Sequence, residues 1–128
     1  MTDKYVLDSS IWIEIERKNP VVMEIVNPHI EKNEVCLVDV IVAEVLRGTK
    51  TRKDFVKLKN DFSFFNCLTA SWTEVADLAF RVSRKGHHPP LIDLYIAHCV
   101  RQNRKTLITQ DKHFSQIAAV RSFQFQMI

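Results

Sequence analysis

Glycine is almost missing from this chain, with two in 128 residues, and there are only four prolines. Two glycines cannot build the loop of backbone N–H groups that wraps a nucleotide phosphate, and long flexible linkers are equally excluded. Cysteine is scarce too. Cys36, Cys67 and Cys99 are odd in number, widely spaced and never form a C-x-x-C pair, so neither a zinc site nor a disulfide framework is readable. Set in apolar runs, they predict buried, reduced thiols. No apolar run approaches a membrane span, and Met1-Thr2-Asp3-Lys4 lacks the charged-then-apolar shape of a secretion signal. A cytoplasmic location with no membrane partner is the expectation. An excess of one charge is also lacking: the net charge of +3 permits a nucleic-acid partner without requiring one. What is present is a globular balance, 46% hydrophobic and 26% charged, on a length that fits one domain over residues 1–128.

Strand-like and helix-like segments alternate. Tyr5-Val6-Leu7 is a short strand running into Asp8-Ser9-Ser10 and a helix over Ile11 to Ile15. Asn19-Pro20 caps a second helix reaching about Lys32, with Pro28 expected to kink or split it. Val35 to Val38 reads as a fully buried strand. Asp39 is placed to cap a helix from Val40 to Leu46, stopped by Gly48. Further helices are predicted over Thr51 to Phe62, Thr73 to Lys85, Pro90 to Gln102 and Asp111 to Ile117. Strands are predicted near Phe65 to Leu68, Thr106 to Thr109 and Phe123 to Phe125. The order implies an α/β fold of three layers, α/β/α, around a mostly parallel sheet covered on both faces.

The chemistry is suggested by where the acids stand. Eight of them, such as Glu24 and Asp77, fall among polar neighbours. Four do not: Asp8 ends the first strand, Glu44 sits within Val40 to Leu46, Asp93 lies in an apolar helix, and Asp111 follows the strand Thr106 to Thr109. Taken singly, Asp8 and Asp111 also read as helix caps, and Glu44 as a partner of Arg47. Asp93 has only prolines and apolar residues at helical spacing. An ionised carboxylate in such surroundings is costly unless compensated. Strand ends and the first turns of the following helices meet at one edge of a parallel sheet, so the four converge. A hard divalent cation, Mg²⁺ or Mn²⁺, is the simplest neutraliser of such a set. Ser9 and Ser10 have no histidine at triad spacing, and Ser10 is expected to cap the helix and support Asp8.

These residues resemble the PIN-domain nucleases. Asp8-Ser9-Ser10 after a strand, Glu44 in Val-Ala-Glu-Val-Leu-Arg-Gly, Asp93 before Ile96-Ala97, and Thr109-Gln110-Asp111 before Phe114 carry the likeness, which spans essentially the whole chain. Within that family the chain is most similar to the small toxins of the VapC type. The resemblance implies a parallel sheet between helices, Mg²⁺- or Mn²⁺-dependent cleavage of RNA such as tRNA or rRNA, a homodimer, and inhibition by a small antitoxin protein. It implies that Asp8, Glu44, Asp93 and Asp111 are the catalytic and metal-binding acids. One departure is His113, where many relatives carry a further aspartate.

Substrate grip is expected from Ser10 and from two basic clusters, one including Arg47 and Lys50, the other Arg84, Lys85 and His87. Each cluster also reads as a plain solvated face. Phosphate contacts supply affinity without sequence choice, so the RNA target is not readable. Trp12 and the apolar residues between Thr51 and Phe65 are expected to offer an exposed groove to the antitoxin. The competing functions are a PIN-like housekeeping nuclease, acting on RNA precursors or DNA flaps, and a non-catalytic module that binds metal or accepts a phosphoryl group at Asp8.

Overall fold

Val35–Val38 is buried at every position, as a strand covered on both faces must be. In the computed structural model, which describes residues 3–128, this strand lies inside a five-stranded sheet. Met1 and Thr2, the start of the leading segment read above, lie outside the described residues. The elements run β1 (Tyr5–Leu7), α1 (Ser9–Glu16), α2 (Pro20–Glu31), β2 (Val35–Val38), α3 (Asp39–Arg47) and α4 (Arg52–Phe62). They continue as β3 (Cys67–Leu68), α5 (Trp72–Arg84), α6 (Leu91–Gln102), β4 (Thr106–Thr109), α7 (His113–Val120) and β5 (Gln124–Met127). Strand order is β3-β2-β1-β4-β5, and every pairing among the described residues is parallel.

That order reverses direction at β1. The chain moves outward through β2 and β3, then crosses back to β4 and β5. Right-handed crossovers therefore put the helices before β3 on one face and those after it on the other. The packing agrees: α1 packs on α2 and α3, and α3 on α4, while α5, α6 and α7 contact one another. The result is a three-layer α/β/α fold whose buried apolar residues form one cluster. The carboxyl ends of the adjacent strands β1 and β4 flank the switch point, where open parallel sheets leave a crevice.

Scarce glycine shows at the helix ends. Helices α1, α2, α5 and α6 all stop through a residue in the left-handed region: Lys18 (φ 57°), Asn33 (φ 57°), Gly86 (φ 87°) and Arg104 (φ 56°). After each, an N–H reaches back over the last turn, as from Asn19 to the Glu14 carbonyl and from Lys105 to that of Val100. This is the Schellman closure, and only one of the four uses glycine. Gly48 is the other glycine, yet its φ of −81° is ordinary, so α3 ends there without the conformational freedom expected of it.

Several expectations are corrected. Pro28 neither splits nor ends α2, which runs through it to Glu31; the one backbone bond it withholds is that to the Glu24 carbonyl. Val38, not Asp39, is the N-cap of α3; the Asp39 carboxylate accepts from the Val40 N–H at 2.9 Å and from the Tyr95 hydroxyl at 3.2 Å. Helix α7 begins at His113 and not at Asp111. Trp12 is only 7% exposed and packs edge-on against Phe62 and Phe65, with ring centroids 5.1 and 5.8 Å away. It is core, and no exposed groove can be built on it. Cys36 and Cys99 are buried, and burial pushes their thiols up to about 11 and about 12, but Cys67 on the outer strand β3 is exposed. All three are free. Among the described residues no helix is long and apolar enough to cross a membrane.

Candidate active site

Asp8 caps α1 directly after β1: its Oδ1 accepts from the Ser9 N–H at 2.8 Å. The residue is 5% exposed. Its Oδ2 accepts from the Thr109 hydroxyl at 2.8 Å and, more weakly, from the Ser10 hydroxyl at 3.4 Å. Ser10 therefore supports Asp8 as expected, but the cap is Asp8 itself. Thr109 is fully buried at the end of β4 and also accepts from the Asp111 N–H at 2.9 Å. One hydroxyl thus ties two acids from neighbouring strand ends into a fixed relation. Asp111 Oδ1 in turn accepts from the His113 N–H at 2.9 Å, a tight local turn that opens α7.

Asp93 enters from the first turn of α6. Its Oδ2 is buried and has no hydrogen-bond partner among the described residues. His113 Nδ1 lies 3.4 Å from that oxygen, close enough for charge but without hydrogen-bond geometry, and 3.1 Å from Asp111 Oδ1. Asp93, Asp111 and His113 can each offer a ligand atom within 4.8 Å of the others. The electrostatics follow. Burial, then the charges of Asp111 and Asp8, push the Asp93 carboxyl up to about 6. Burial raises Asp8 as well, opposed by the hydrogen bonds from Thr109 and Ser9.

Glu44 departs from the sequence reading. Its apolar neighbours Ile41 and Val45 are buried, but Glu44 is exposed, at the edge of the buried face of α3, where the Ser9 side chain hydrogen-bonds its carboxylate. Partial shielding of its carboxyl and then the charge of Asp8 still raise it, so it stands at the rim of the same field. No ion pair joins it to Arg47 among the described residues. Lys50 lines a cleft with Glu44, Ile13 and Arg17. Arg47 is exposed in the last turn of α3, and no ion pair links it to the acids among the described residues. Arg84 and Lys85 end α5, a short connection away from the Asp93 turn.

In the sequence Thr109 stands out only as part of the Thr109-Gln110-Asp111 motif, with no role of its own. Its position, at the end of a buried strand two residues before an acid, was the available signal. For His113 the signal was its place two residues after Asp111, where many relatives carry a further aspartate; its approach to Asp93 is settled only once α7 is positioned.

The donor set is hard carboxylate oxygen plus one imidazole, and one buried oxygen is left without a partner. Such residues suit a divalent cation. Fold and site together define a parallel α/β protein that gathers acids at the strand switch point. A family model described as the PIN domain matches residues 5–120, and the chain belongs to that family. Solved structures share the fold. VapBC from Salmonella typhimurium, bound to DNA, superposes with a TM-score of 0.78 at 16% identity, covering 98% of each chain. VapBC2 from Rickettsia felis, bound to a promoter DNA fragment, gives 0.77 at 20% identity over 97% of this chain and 98% of the other. VapBC-1 from nontypeable Haemophilus influenzae gives 0.76 at 19%, covering 96% of each. A comparison with curated proteins finds no match.

Proposed function

We propose that this chain is a divalent-cation-dependent endoribonuclease and the toxin of a toxin–antitoxin pair. The observation that carries the nuclease reading is Asp93: a buried carboxylate oxygen with no hydrogen-bond partner, facing two further acids and pushed up to about 6. A fold that leaves an acid so placed loses stability unless a cation compensates it. The likeness to the VapBC structures, and to a solved toxin–antitoxin complex from Klebsiella pneumoniae, supports the toxin reading.

In this reading Asp8, Asp93 and Asp111 hold the cation, with Glu44 at the rim. The bound Mg²⁺ or Mn²⁺ supplies Lewis-acid activation of a water and of the scissile phosphate. The chain's own residues do the rest. Thr109 and the Ser9 N–H hold Asp8 in one rotamer, so its free lone pairs keep a fixed direction. Asp111 is held through the same hydroxyl. Hydrolysis by in-line attack leaves a 5′-phosphate and a 3′-hydroxyl. The test is to incubate purified protein with structured RNA in Mg²⁺, Mn²⁺ or EDTA and map the new 5′ ends. Cleavage that survives chelation ends the reading.

His113 sets this site apart from one built of carboxylates alone. Its imidazole adds no negative charge and prefers softer ions than carboxylate does. Wild type should therefore use Mn²⁺ better than Mg²⁺, and His113→Asp should narrow that gap. Rates titrated against each ion decide it: an unchanged ratio means the imidazole takes no part.

Toxicity is tested in cells. Induction of this gene alone should stop growth, and co-expression of the adjoining gene should restore it. Normal growth with soluble, RNA-cleaving protein would instead fit a housekeeping nuclease.

A further inference from the structure

A second feature lies on the other side of the α6 first turn. Leu91 and Leu94 share one face of that turn and Asp93 another, so the acids and a neighbouring cleft are divided by a single helical turn. The cleft, of about 320 Å³, is lined by Phe80, Ser83, His87, His88, Pro89 and Leu91 among others. That volume is at the lower end of the range that ligand clefts occupy, roughly 300–1,000 Å³. Phe80 and Leu91 are each 57% exposed. The Arg84 guanidinium lies over the Phe80 ring, 4.7 Å from its centroid. Arg81 is paired with Asp77, but Arg84 has no carboxylate partner among the described residues. Pro89 and Pro90 stiffen the connection that forms one wall, so little ordering is left to be done when a ligand enters.

A half-exposed aromatic ring that carries a planar cation over one face, with two imidazoles lining the same cleft and Lys85 next along the chain, suits a flat π-system carried on an anionic backbone. We infer that this cleft is a nucleobase subsite: it holds one unpaired base of single-stranded RNA, stacked at Phe80 and Arg84, next to the phosphate at the acids. The inference rests on the nuclease reading and adds to it a required single-stranded nucleotide beside the cut. The charge distribution favours RNA over a second copy of the chain. A two-fold interface through this face would set the same cationic cluster near its own copy.

The experiment is fluorescence anisotropy of a short labelled single-stranded RNA in Mg²⁺ buffer, with Asp8→Asn protein to keep the probe intact. Adding Phe80→Ala should weaken binding about tenfold, and Phe80→Tyr, which keeps the ring, should not. A probe carrying abasic positions should bind equally well with the Phe80 ring present or removed. Arg84→Gln, which removes the stacked cation nearest the strand, should weaken binding and lower the slope of log affinity against log salt, by about 0.7 for one single-strand phosphate neutralised. Melting curves confirm that each variant is folded, as substitution at a half-exposed ring should allow. Equal affinity for the intact RNA with and without the Phe80 ring overturns the subsite; if wild type still cleaves RNA in Mg²⁺ or Mn²⁺, the nuclease reading stands without it. No RNA binding by any form, with no cleavage by wild type, sinks both. A Phe80→Ala shift in oligomeric state by light scattering, with RNA affinity unchanged, assigns the face to a second copy and overturns the inference.

Discussion

Asp8→Asn and Asp93→Asn should each reduce RNA cleavage by roughly two to three orders of magnitude, the scale on which removing one preorganised electrostatic contact commonly acts. The two losses have different origins. Asn at position 8 keeps an oxygen for the Ser9 N–H or the Thr109 hydroxyl but loses charge and one acceptor, in a residue only 5% exposed. Asn at position 93 removes the one carboxylate whose buried oxygen has no other partner. Combining them should cost far less than the product of the single effects, since both act through one cation. Single-turnover cleavage of one RNA by the three variants measures this. Near-wild-type rates in either single variant would remove that acid from the site.

The same substitution should have the opposite effect on stability. In EDTA near neutral pH, Asp93→Asn should melt several degrees above wild type. The Asp93 carboxyl is raised from 3.8 to about 6, so the folded chain binds that proton more tightly than the unfolded chain does. The stabilisation is therefore complete below the unfolded value and is lost as pH rises through the folded one. At pH ~7 the ionised group weakens the metal-free fold by roughly 3 kcal/mol, the influence of the nearby His113 included. Wild type should gain stability on acidification toward pH ~5, and Asp93→Asn should lack most of that gain. Mn²⁺ should reverse the order at neutral pH, because a ligand of the folded state alone adds about 2.7 kcal/mol at a hundredfold excess over its Kd. Thermal melts with and without EDTA at several pH values test all of this. A clear drop in the metal-free melting temperature of Asp93→Asn would mean that the carboxylate is structurally satisfied.

Alternating short apolar runs and amphipathic stretches were enough to place the helices and strands in order, because period and burial are written locally. Val35–Val38 shows it: four apolar residues with no alternation read as a strand covered on both sides, and all four are buried. The acids at strand ends were legible for a related reason. A parallel sheet sends every strand's carboxyl end to one edge, so Asp8 and Asp111 had to be near neighbours once β1 and β4 were adjacent. Side-chain direction was not legible. Ala43, Glu44 and Val45 are consecutive, and only the packing of α3 decided that Val45 is buried and Glu44 stays exposed at the rim of the acids. Trp12 looked available for a partner until Phe62 and Phe65, some fifty residues on, closed over it. Gly48 looked like a left-handed stop, while Lys18 and Arg104 took that conformation instead, because the closing hydrogen bonds over the last turn outweigh the strain on a side chain. The sequence by itself determined the fold class, the order of its layers and the edge where the acids gather. Tertiary structure alone decided which lone pairs face one another: Thr109 joining Asp8 to Asp111, and His113 set against Asp93, are contacts between segments that no local pattern connects.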